Sequence, residues 1–347
     1  MRAIASQTVD GPALRALLQG AGLFSPEIAA QAGSLAATYP RIAGRNLFAE
    51  FELGDGIVPS GFGLGLPRGE YDHYLVRDHW FLATPEGRAI SGAMGPDPFA
   101  ADSRTYLNLV GDDDPDWIEY DIDCGRLDAT PFVFFRPPSR FLILSSPDQA
   151  QEFCALLPEA RGDFRRLLEQ LITAGPVGLY RVGLAEQRGT DWWRAILTNL
   201  EAGQVMGALA DLGARDFERP LGLAGEFYTG RADEPGARFA LSVDVKAGRL
   251  AAADVEFAYA FRVGDLEARA TAFEALARQL AGMGLLTPEA ATWTSANCVR
   301  ELRGPGGNGL QVRLHHLKQR YFGPHHLRAK AYLHLEMVGE PMLEAAS

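Results

Sequence analysis

Acidic side chains recur at alternate positions in several short stretches of this 347-residue chain. Alternate residues of a β-strand share one face, so each stretch would present several carboxylates to one side of a sheet. A carboxylate held beside a reacting atom can accept or donate a proton. The candidates for this chemistry are Glu50, Glu119 and Glu256.

Basic and other polar side chains follow the same alternation. Basic side chains in such positions could bind an anionic group, although solvated surface charges would give the same pattern. The basic and phenolic candidates are Arg194, Lys246, Lys318, Arg328, Lys330 and Tyr332. Further polar candidates for contact with a bound molecule are Glu52, Asp121, Ser242, Asp244 and His334.

Histidines and cysteines give no metal signature. His315-His316 and His325-His326 flank one turn, and adjacent strand residues point to opposite faces. Each pair therefore predicts at most one ligand for a common site, and we expect no structural zinc site. The three cysteines are too few and too scattered for a zinc cluster or a disulfide framework, which indicates a reducing compartment.

Strands with one apolar face must position these residues. Clear alternation predicts strands at 47–53, 117–123, 239–246, 254–261 and 328–335, and weaker patterns predict strands at 61–66, 132–136, 177–184, 194–200 and 311–318. Amphipathic spacing predicts helices at 12–19, 26–37, 147–172, 203–212, 265–283 and from 288 onward. Ser146 and Thr287, each followed by proline, are the predicted N-caps of two of these helices.

The order of these elements predicts an α+β fold. Strand pairs alternate with helices, which favours antiparallel strands covered by helices on one side. Five strand pairs supply ten strands, enough to close a barrel and remove its exposed edges. We therefore expect a ten-stranded antiparallel β-barrel with a polar lumen, surrounded by helices, in a single domain over residues 1–347.

Composition excludes several classes of protein. The chain has 33 Lys and Arg against 44 Asp and Glu, a net charge of −11, whereas a nucleic-acid binder needs a concentrated basic face. The N-terminus lacks the apolar core of a signal peptide, and no apolar run is long enough to span a membrane. We expect a cytoplasmic, monomeric protein that binds neither nucleic acid nor membrane.

Three segments resemble the ABBA-type (PT-barrel) prenyltransferases, which include soluble aromatic, indole and cyanobactin peptide enzymes. One of them, residues 239–245 with 255–261, resembles the hairpin that precedes the last one, where the positions of Ser242 and Asp244 are lumenal. The stretch from Leu314-His315-His316-Leu317-Lys318 through residues 327–333 resembles their last hairpin, where a basic residue and a tyrosine four positions later hold the isoprenoid diphosphate. Arg328 and Tyr332 have that spacing. The segment Ala49-Glu50-Phe51-Glu52 is similar to the first-hairpin segment that carries the lumenal acid.

The resemblance implies transfer of an isoprenyl group from dimethylallyl or geranyl diphosphate to a peptide side chain or a small aromatic molecule. The basic candidates and Tyr332 would hold the diphosphate, and Glu50 would be the first choice of base, ahead of Glu119 and Glu256. Mg²⁺ could enter with the donor. The many acids on strand faces point to a cationic acceptor, such as an arginine guanidinium, which a carboxylate binds through two hydrogen bonds.

Two other functions fit the same pattern. One is a noncatalytic α/β barrel that binds an apolar or cationic ligand. The other is an open α+β sheet whose polar face meets water, the usual reason for alternating charges on strands. The barrel functions require the polar strand faces to be enclosed, whereas the open sheet leaves them exposed to solvent.

Overall fold

The computed structural model describes residues 11–38, 47–65, 115–127, 132–135, 137, 139–157, 162–184, 192–211, 213, 239–246, 249–257, 266–304, 308–322 and 329–338. The helices in this part of the chain are α1 (Gly11–Gly20), α2 (Pro26–Thr38), α3 (Pro147–Leu156), α4 (Asp163–Ala174), α5 (Ala202–Asp211), α6 (Leu266–Gly282) and α7 (Pro288–Ala296). None of these described helices is long and apolar enough to cross a membrane.

The strands in the described ranges number thirteen and belong to one sheet. They are β1 (Leu47–Leu53), β2 (Ile57–Gly65), β3 (Pro115–Asp123), β4 (Arg126–Leu127), β5 (Phe132–Phe135), β6 (Ile143–Leu144), β7 (Val177–Leu184), β8 (Trp192–Leu200), β9 (Phe239–Lys246), β10 (Arg249–Phe257), β11 (Val299–Arg303), β12 (Gly309–Phe322) and β13 (Ala329–Val338). The ten predicted strands all correspond to members of this set, and β4, β6 and β11 were not predicted.

The predicted helix starts are confirmed at both caps. The Ser146 hydroxyl accepts a hydrogen bond from the Gln149 amide, and the Thr287 hydroxyl accepts one from the Ala290 amide. The single helix predicted over 147–172 is wrong, because the structure has two helices there. Leu157 ends α3 in an extended conformation, which is the conformation favoured by a residue that precedes proline.

The order of strand pairing explains how the sheet curves. Antiparallel neighbours run β10-β9-β8-β7-β5-β3-β2-β1-β13-β12-β11, and β12 also pairs with β10. These pairings therefore return to β10 after passing through ten strands. The short strands β4, β6 and β11 pair with β3, β7 and β12 outside that circuit. The antiparallel α+β class is confirmed, whereas thirteen strands replace the predicted ten.

The helices cover the apolar faces of the strands. Phe51 of β1 packs against Phe24, with 5.7 Å between ring centroids, and against Trp293 of α7, at 4.7 Å. On the other side of the molecule, Trp193 of β8 packs edge-on against Phe164 of α4 at 4.6 Å. These residues belong to one large buried core, so the opposite strand faces carry the polar residues predicted above.

Candidate active site

The polar strand faces converge on one another, and we call their combined surface the inner face. Arg194 of β8 lies 3.6 Å from the Glu119 carboxylate of β3, although β7 and β5 separate these strands in the sheet. Both side chains are about nine-tenths buried. Residues of strands that are not neighbours can meet in this way only if the sheet bends around the space between them.

Glu50 occupies the part of the inner face where the first and last strands meet. Its Oε1 atom accepts hydrogen bonds from Lys330 Nζ at 2.5 Å and from the Ser60 hydroxyl at 2.8 Å. Tyr332 lies directly opposite Glu50 in the β1–β13 register, and its hydroxyl favours the charged form of the carboxylate. Burial raises the pKa of Glu50, but the charge and hydrogen bonds of Lys330 and Tyr332 outweigh it and lower the pKa well below its ordinary value.

Three further ion pairs continue around the inner face. Arg194 binds Asp244 through Nε and Nη2 at 2.5 and 3.2 Å. Arg320 likewise binds Asp254 through Nε and Nη2, at 2.7 and 3.0 Å. Such bidentate contacts fix the orientation of a guanidinium as well as its distance from the carboxylate.

The last of these ion pairs includes a hydroxyl. Lys318 Nζ lies 2.9 Å from Glu256 Oε1 and donates to the Ser242 hydroxyl at 3.1 Å. That hydroxyl in turn donates to Glu256 at 3.0 Å. Burial raises the pKa of Glu256, but Lys318 and Ser242 bind its charged form and lower the pKa overall, as Arg320 does for Asp254.

Glu119 has a different electrostatic environment. The guanidinium nearest to it already donates two hydrogen bonds to Asp244, and the 3.6 Å contact with Glu119 is longer than those of the other pairs. Burial raises the pKa of Glu119 to about 7, and the charge of Glu50 adds to this rise. Glu119 is therefore the carboxyl group of this set that takes up a proton near neutral pH.

An aromatic cluster separate from the main core lies on the inner face. Phe132 and Phe134 of β5 are its buried members, and Phe48, Trp192 and Ile196 pack against them. The Phe132 ring lies edge-on to Trp192 at 5.3 Å, and the Arg194 guanidinium stands 5.2 Å from the Phe132 centroid. For a molecule with an apolar end and an anionic end, the ring faces could contact the apolar end and the guanidinium the anionic end.

Glycines on β2 lie between the two central carboxylates. Gly61 is paired with Glu50 on one side and Asp121 on the other, and Gly63 is paired with Glu119. A side chain at Gly61 would begin 3.2 Å from the Glu50 Cβ atom. Gly61 therefore lets the Glu50 side chain lie directly against the backbone of β2.

The prediction that His315 and His316 point to opposite faces of their strand is wrong. A β-bulge between Leu314 and His316 interrupts the alternation of β12, so the two adjacent imidazoles do not point to opposite faces. Nδ1 of His315 and Nδ1 of His316 lie 2.6 Å apart, and the His316 ring stacks on Tyr332 at 4.3 Å. Even so, the described residues contain no group of three or more potential metal ligands.

The structure brings most of the predicted residues together. Those with buried or half-buried side chains on the inner face are Glu50, Glu52, Glu119, Asp121, Arg194, Ser242, Asp244, Glu256, Lys318, Lys330, Tyr332 and His334. Lys246 is exposed at the end of β9, with its Nζ 5.8 Å from the Trp192 ring, and does not join the ion pairs. Arg328 lies outside the described residues.

Two sets of site residues were missed. Arg320 follows Lys318 by two positions and so shares its face, but the predicted strand ended at residue 318 and excluded it. Continuing the alternation to Phe322 would have found it. The inner-facing aromatic residues Phe48, Phe132 and Phe134 were missed because an apolar residue on a strand is ordinarily assigned to the core.

Comparison with solved structures finds the same fold at low sequence identity. A 6-dimethylallyltryptophan synthase from Micromonospora olivasterospora, solved in complex with DMASPP and Trp, is 17% identical, with a TM-score of 0.60 over 95% of this chain and 96% of that chain. A second structure, a 6-dimethylallyl tryptophan synthase, is also 17% identical, with a TM-score of 0.60 over 95% of each chain. No protein-family model matches the sequence, and no curated protein does. The chain therefore has the fold of an ABBA-type prenyltransferase, as the resemblance implied.

Proposed function

We propose that this protein is a prenyltransferase that moves a dimethylallyl group from its diphosphate to a small aromatic acceptor bearing an N–H or O–H group. The observation that carries the proposal is a buried inner face on which fixed cations adjoin an aromatic cluster, in a fold shared with a dimethylallyltryptophan synthase. A solvated open sheet would not bury these charges, which argues against that alternative.

The donor diphosphate would be held by the cations of the inner face. As the carbon–oxygen bond of the donor breaks, negative charge builds up on the diphosphate, and preorganised cations and hydroxyls stabilise it. Arg194, Lys318, Arg320 and Lys330 are fixed by carboxylates before any ligand arrives, so little reorganisation is needed. Arg328 and Lys246 remain candidates for the same role.

The allyl cation left behind must be protected from water until the acceptor attacks it. Aromatic faces exclude water and also stabilise positive charge through their π-electrons. Phe132, Phe134 and Trp192 provide such faces next to Arg194. This places the hydrocarbon end of the donor against the aromatic cluster and its diphosphate against the cations.

Glu50 is the residue that we expect to bind and deprotonate the acceptor. Its lowered pKa keeps it ionised at neutral pH, so it can accept a hydrogen bond from an N–H or O–H group. An aromatic ring that has gained a carbon substituent is strongly acidic until it loses a proton, so even a weakly basic carboxylate can remove that proton.

The pairing of charges weakens the case for an arginine acceptor. That expectation rested on an excess of carboxylates on the strand faces. Glu50, Asp244, Asp254 and Glu256 are each bound by a lysine or arginine of the chain, so a cationic substrate is not needed to neutralise them. The same pairing leaves no oxygen cluster among the described residues that fits a resident Mg²⁺, which needs several oxygen ligands.

Incubation of the full chain with dimethylallyl or geranyl diphosphate and an acceptor panel tests the proposal. The panel contains tryptophan, tyrosine, a dihydroxynaphthalene and an arginine-containing peptide, each with and without EDTA, and released diphosphate and alkylated product are measured. We expect product from an aromatic acceptor, and a loss of at least 100-fold in Arg194→Met. The exposed variant Asp123→Asn is the control. Product from the peptide alone would restore the cationic acceptor, and no product from any combination would refute prenyl transfer.

A further inference from the structure

Glu119 and Glu50 lie on either side of the same glycine strand, yet their environments push them toward opposite protonation states. Glu50 is bound at 2.5 Å by Lys330, which holds it ionised. Glu119 lies 3.6 Å from the guanidinium of Arg194, which is already hydrogen-bonded to Asp244. Two carboxyl groups whose environments favour different protonation states can serve as a base and an acid in the same reaction.

Charged and titratable groups from five strands surround Glu119. They are Glu50 of β1, Asp121 of its own strand β3, Arg194 of β8, Lys318 of β12 and Tyr332 of β13. Two of these groups are cations, and each already binds another carboxylate. A negative charge on Glu119 would therefore be an additional buried charge, which is costly without a close cation.

We propose that Glu119 is protonated when the donor binds, an inference that rests on the proposed function. As the donor's carbon–oxygen bond breaks, Glu119 passes this proton to a diphosphate oxygen. Arg194, which we expect to contact the diphosphate, is the cation nearest to Glu119, so the carboxyl group lies beside the leaving group. Glu119 is thus an acid in the reaction, in contrast to the role of reserve base expected from the sequence.

The proton and electron changes of this step balance. The electron pair of the breaking bond goes to the diphosphate oxygen, and the Glu119 proton neutralises part of the resulting charge, leaving Glu119 as a carboxylate. The acceptor loses one proton to Glu50 when its new bond to carbon forms. After product release, Glu119 regains a proton from solvent and Glu50 returns one, so no other reactant is required.

Donor binding provides the first test, because it should raise proton occupancy at Glu119. Calorimetric titration of the full chain with dimethylallyl diphosphate at pH 8, in two buffers of different ionisation enthalpy, measures proton exchange. We expect uptake approaching about one proton per donor, because most Glu119 is ionised at that pH before binding. Glu119→Gln should abolish the uptake, and Asp123→Asn, which removes an exposed carboxylate from the same strand, should retain it.

The pH dependence of donor breakdown gives a second test with an opposite sign for the two possible roles. The rate measured is that of donor hydrolysis to dimethylallyl alcohol and diphosphate in the absence of acceptor. If Glu119 is an acid, kcat/KM for the donor falls about tenfold per pH unit above about 7, and Glu119→Gln is slower at pH 6 but independent of pH. If Glu119 were a base, the wild-type rate would instead rise through the same range.

Three results would overturn the assignment: a wild-type rate that rises with pH, no proton uptake on binding, or uptake unchanged in Glu119→Gln. Circular dichroism checks the fold of each variant, and Glu119→Asp provides a second substitution that keeps a titrating carboxyl. A wild-type protein that neither binds nor hydrolyses the donor would refute prenyl transfer itself. Donor that is bound and consumed without any proton linkage would refute only the role of Glu119.

Discussion

Lys330 keeps Glu50, the carboxylate that we expect to bind the acceptor, in its ionised form. Its Nζ atom is 2.5 Å from Glu50 Oε1, and both side chains are largely buried, at 17% and 6% exposure. In such a pair the attraction offsets the cost of removing two charges from water. Removing one member leaves the other as a buried, uncompensated charge.

We therefore expect Lys330→Met to lower the free energy of unfolding by about 3–5 kcal/mol. Urea denaturation followed by circular dichroism measures this. The double variant Glu50→Gln with Lys330→Met should recover most of the loss, because no buried charge remains without a partner. Lys246→Met, which removes an exposed lysine, should change the free energy by less than about 0.5 kcal/mol. Equal losses in the single and double variants would show that an unpaired buried charge does not cause the loss of stability.

The sequence predicted individual site residues well wherever strand alternation holds. Lys330, Tyr332 and His334 share the inner face because they occupy alternate positions of β13. Partners could not be predicted, because alternation specifies a face and not which residue lies across it. The pairing of Glu50 with Lys330 depends on the register between β1 and β13, which only the folded chain fixes.

At the scale of elements, β7 depends on a glycine to accept the aromatic cluster. A Cβ atom on Gly183 would lie 2.5 Å from Phe134 Cε1 and 2.9 Å from Phe132 Cδ1, both shorter than any real contact. The rings therefore rest directly on the backbone of β7. A side chain at this position would displace them from the inner face.

Gly183→Ala should destabilise the protein by about 1–3 kcal/mol, because the added methyl overpacks a filled site. Gly207→Ala is the matched control: it lies in α5 with no atom within 4 Å of the added Cβ, so it should stabilise by about 0.5–1 kcal/mol. Thermal and urea unfolding of both variants measure the difference. A neutral Gly183→Ala variant would show that the aromatic rings do not pack on this backbone.

Departures from regular periodicity explain the element-level errors. The bulge at His316 adds a residue to β12 without any change in sequence pattern, so two adjacent histidines were assigned to opposite faces. The two-residue strands β4 and β6 are too short to show alternation. The break after α3, by contrast, could have been predicted from Pro158, since a helix rarely continues through the residue before proline.

At the scale of the whole molecule, the buried ion pairs make stability depend on pH. The pKa values of Glu50, Asp254 and Glu256 are lowered by the cations that bind them, so the stability they contribute is present above the unfolded-state values near pH 4 and is lost as the pH falls below them. Glu119 acts in the opposite direction, because its raised pKa favours folding at lower pH and opposes it as the pH rises through about 7.

We therefore expect the free energy of unfolding to be greatest near pH 4, to fall on the acid side, and to decline between about pH 4 and pH 7 until folded Glu119 ionises, with little further change above pH 7. Urea titrations across pH 3 to 9 measure the profile. The acid side should change little between low and high salt, because buried pairs are screened much less than exposed ones. A strong salt dependence would show that solvated surface charges dominate, and the double variant Glu50→Gln with Lys330→Met should have a shallower acid side.

Pairing of the first strand with the last has a consequence for synthesis of the chain. Glu50 and Lys330 are 280 residues apart, and translation at about 5–20 residues per second separates their appearance by roughly 15–55 s. During that interval β1 can pair with β2, but its other edge has no β13 to join. Exposed edges promote association between chains, so we expect nascent or truncated chains that lack β13 to aggregate. The carboxylate proposed to bind the acceptor obtains its lysine only when β13 pairs with β1, which makes competence for binding one of the last properties the growing chain acquires.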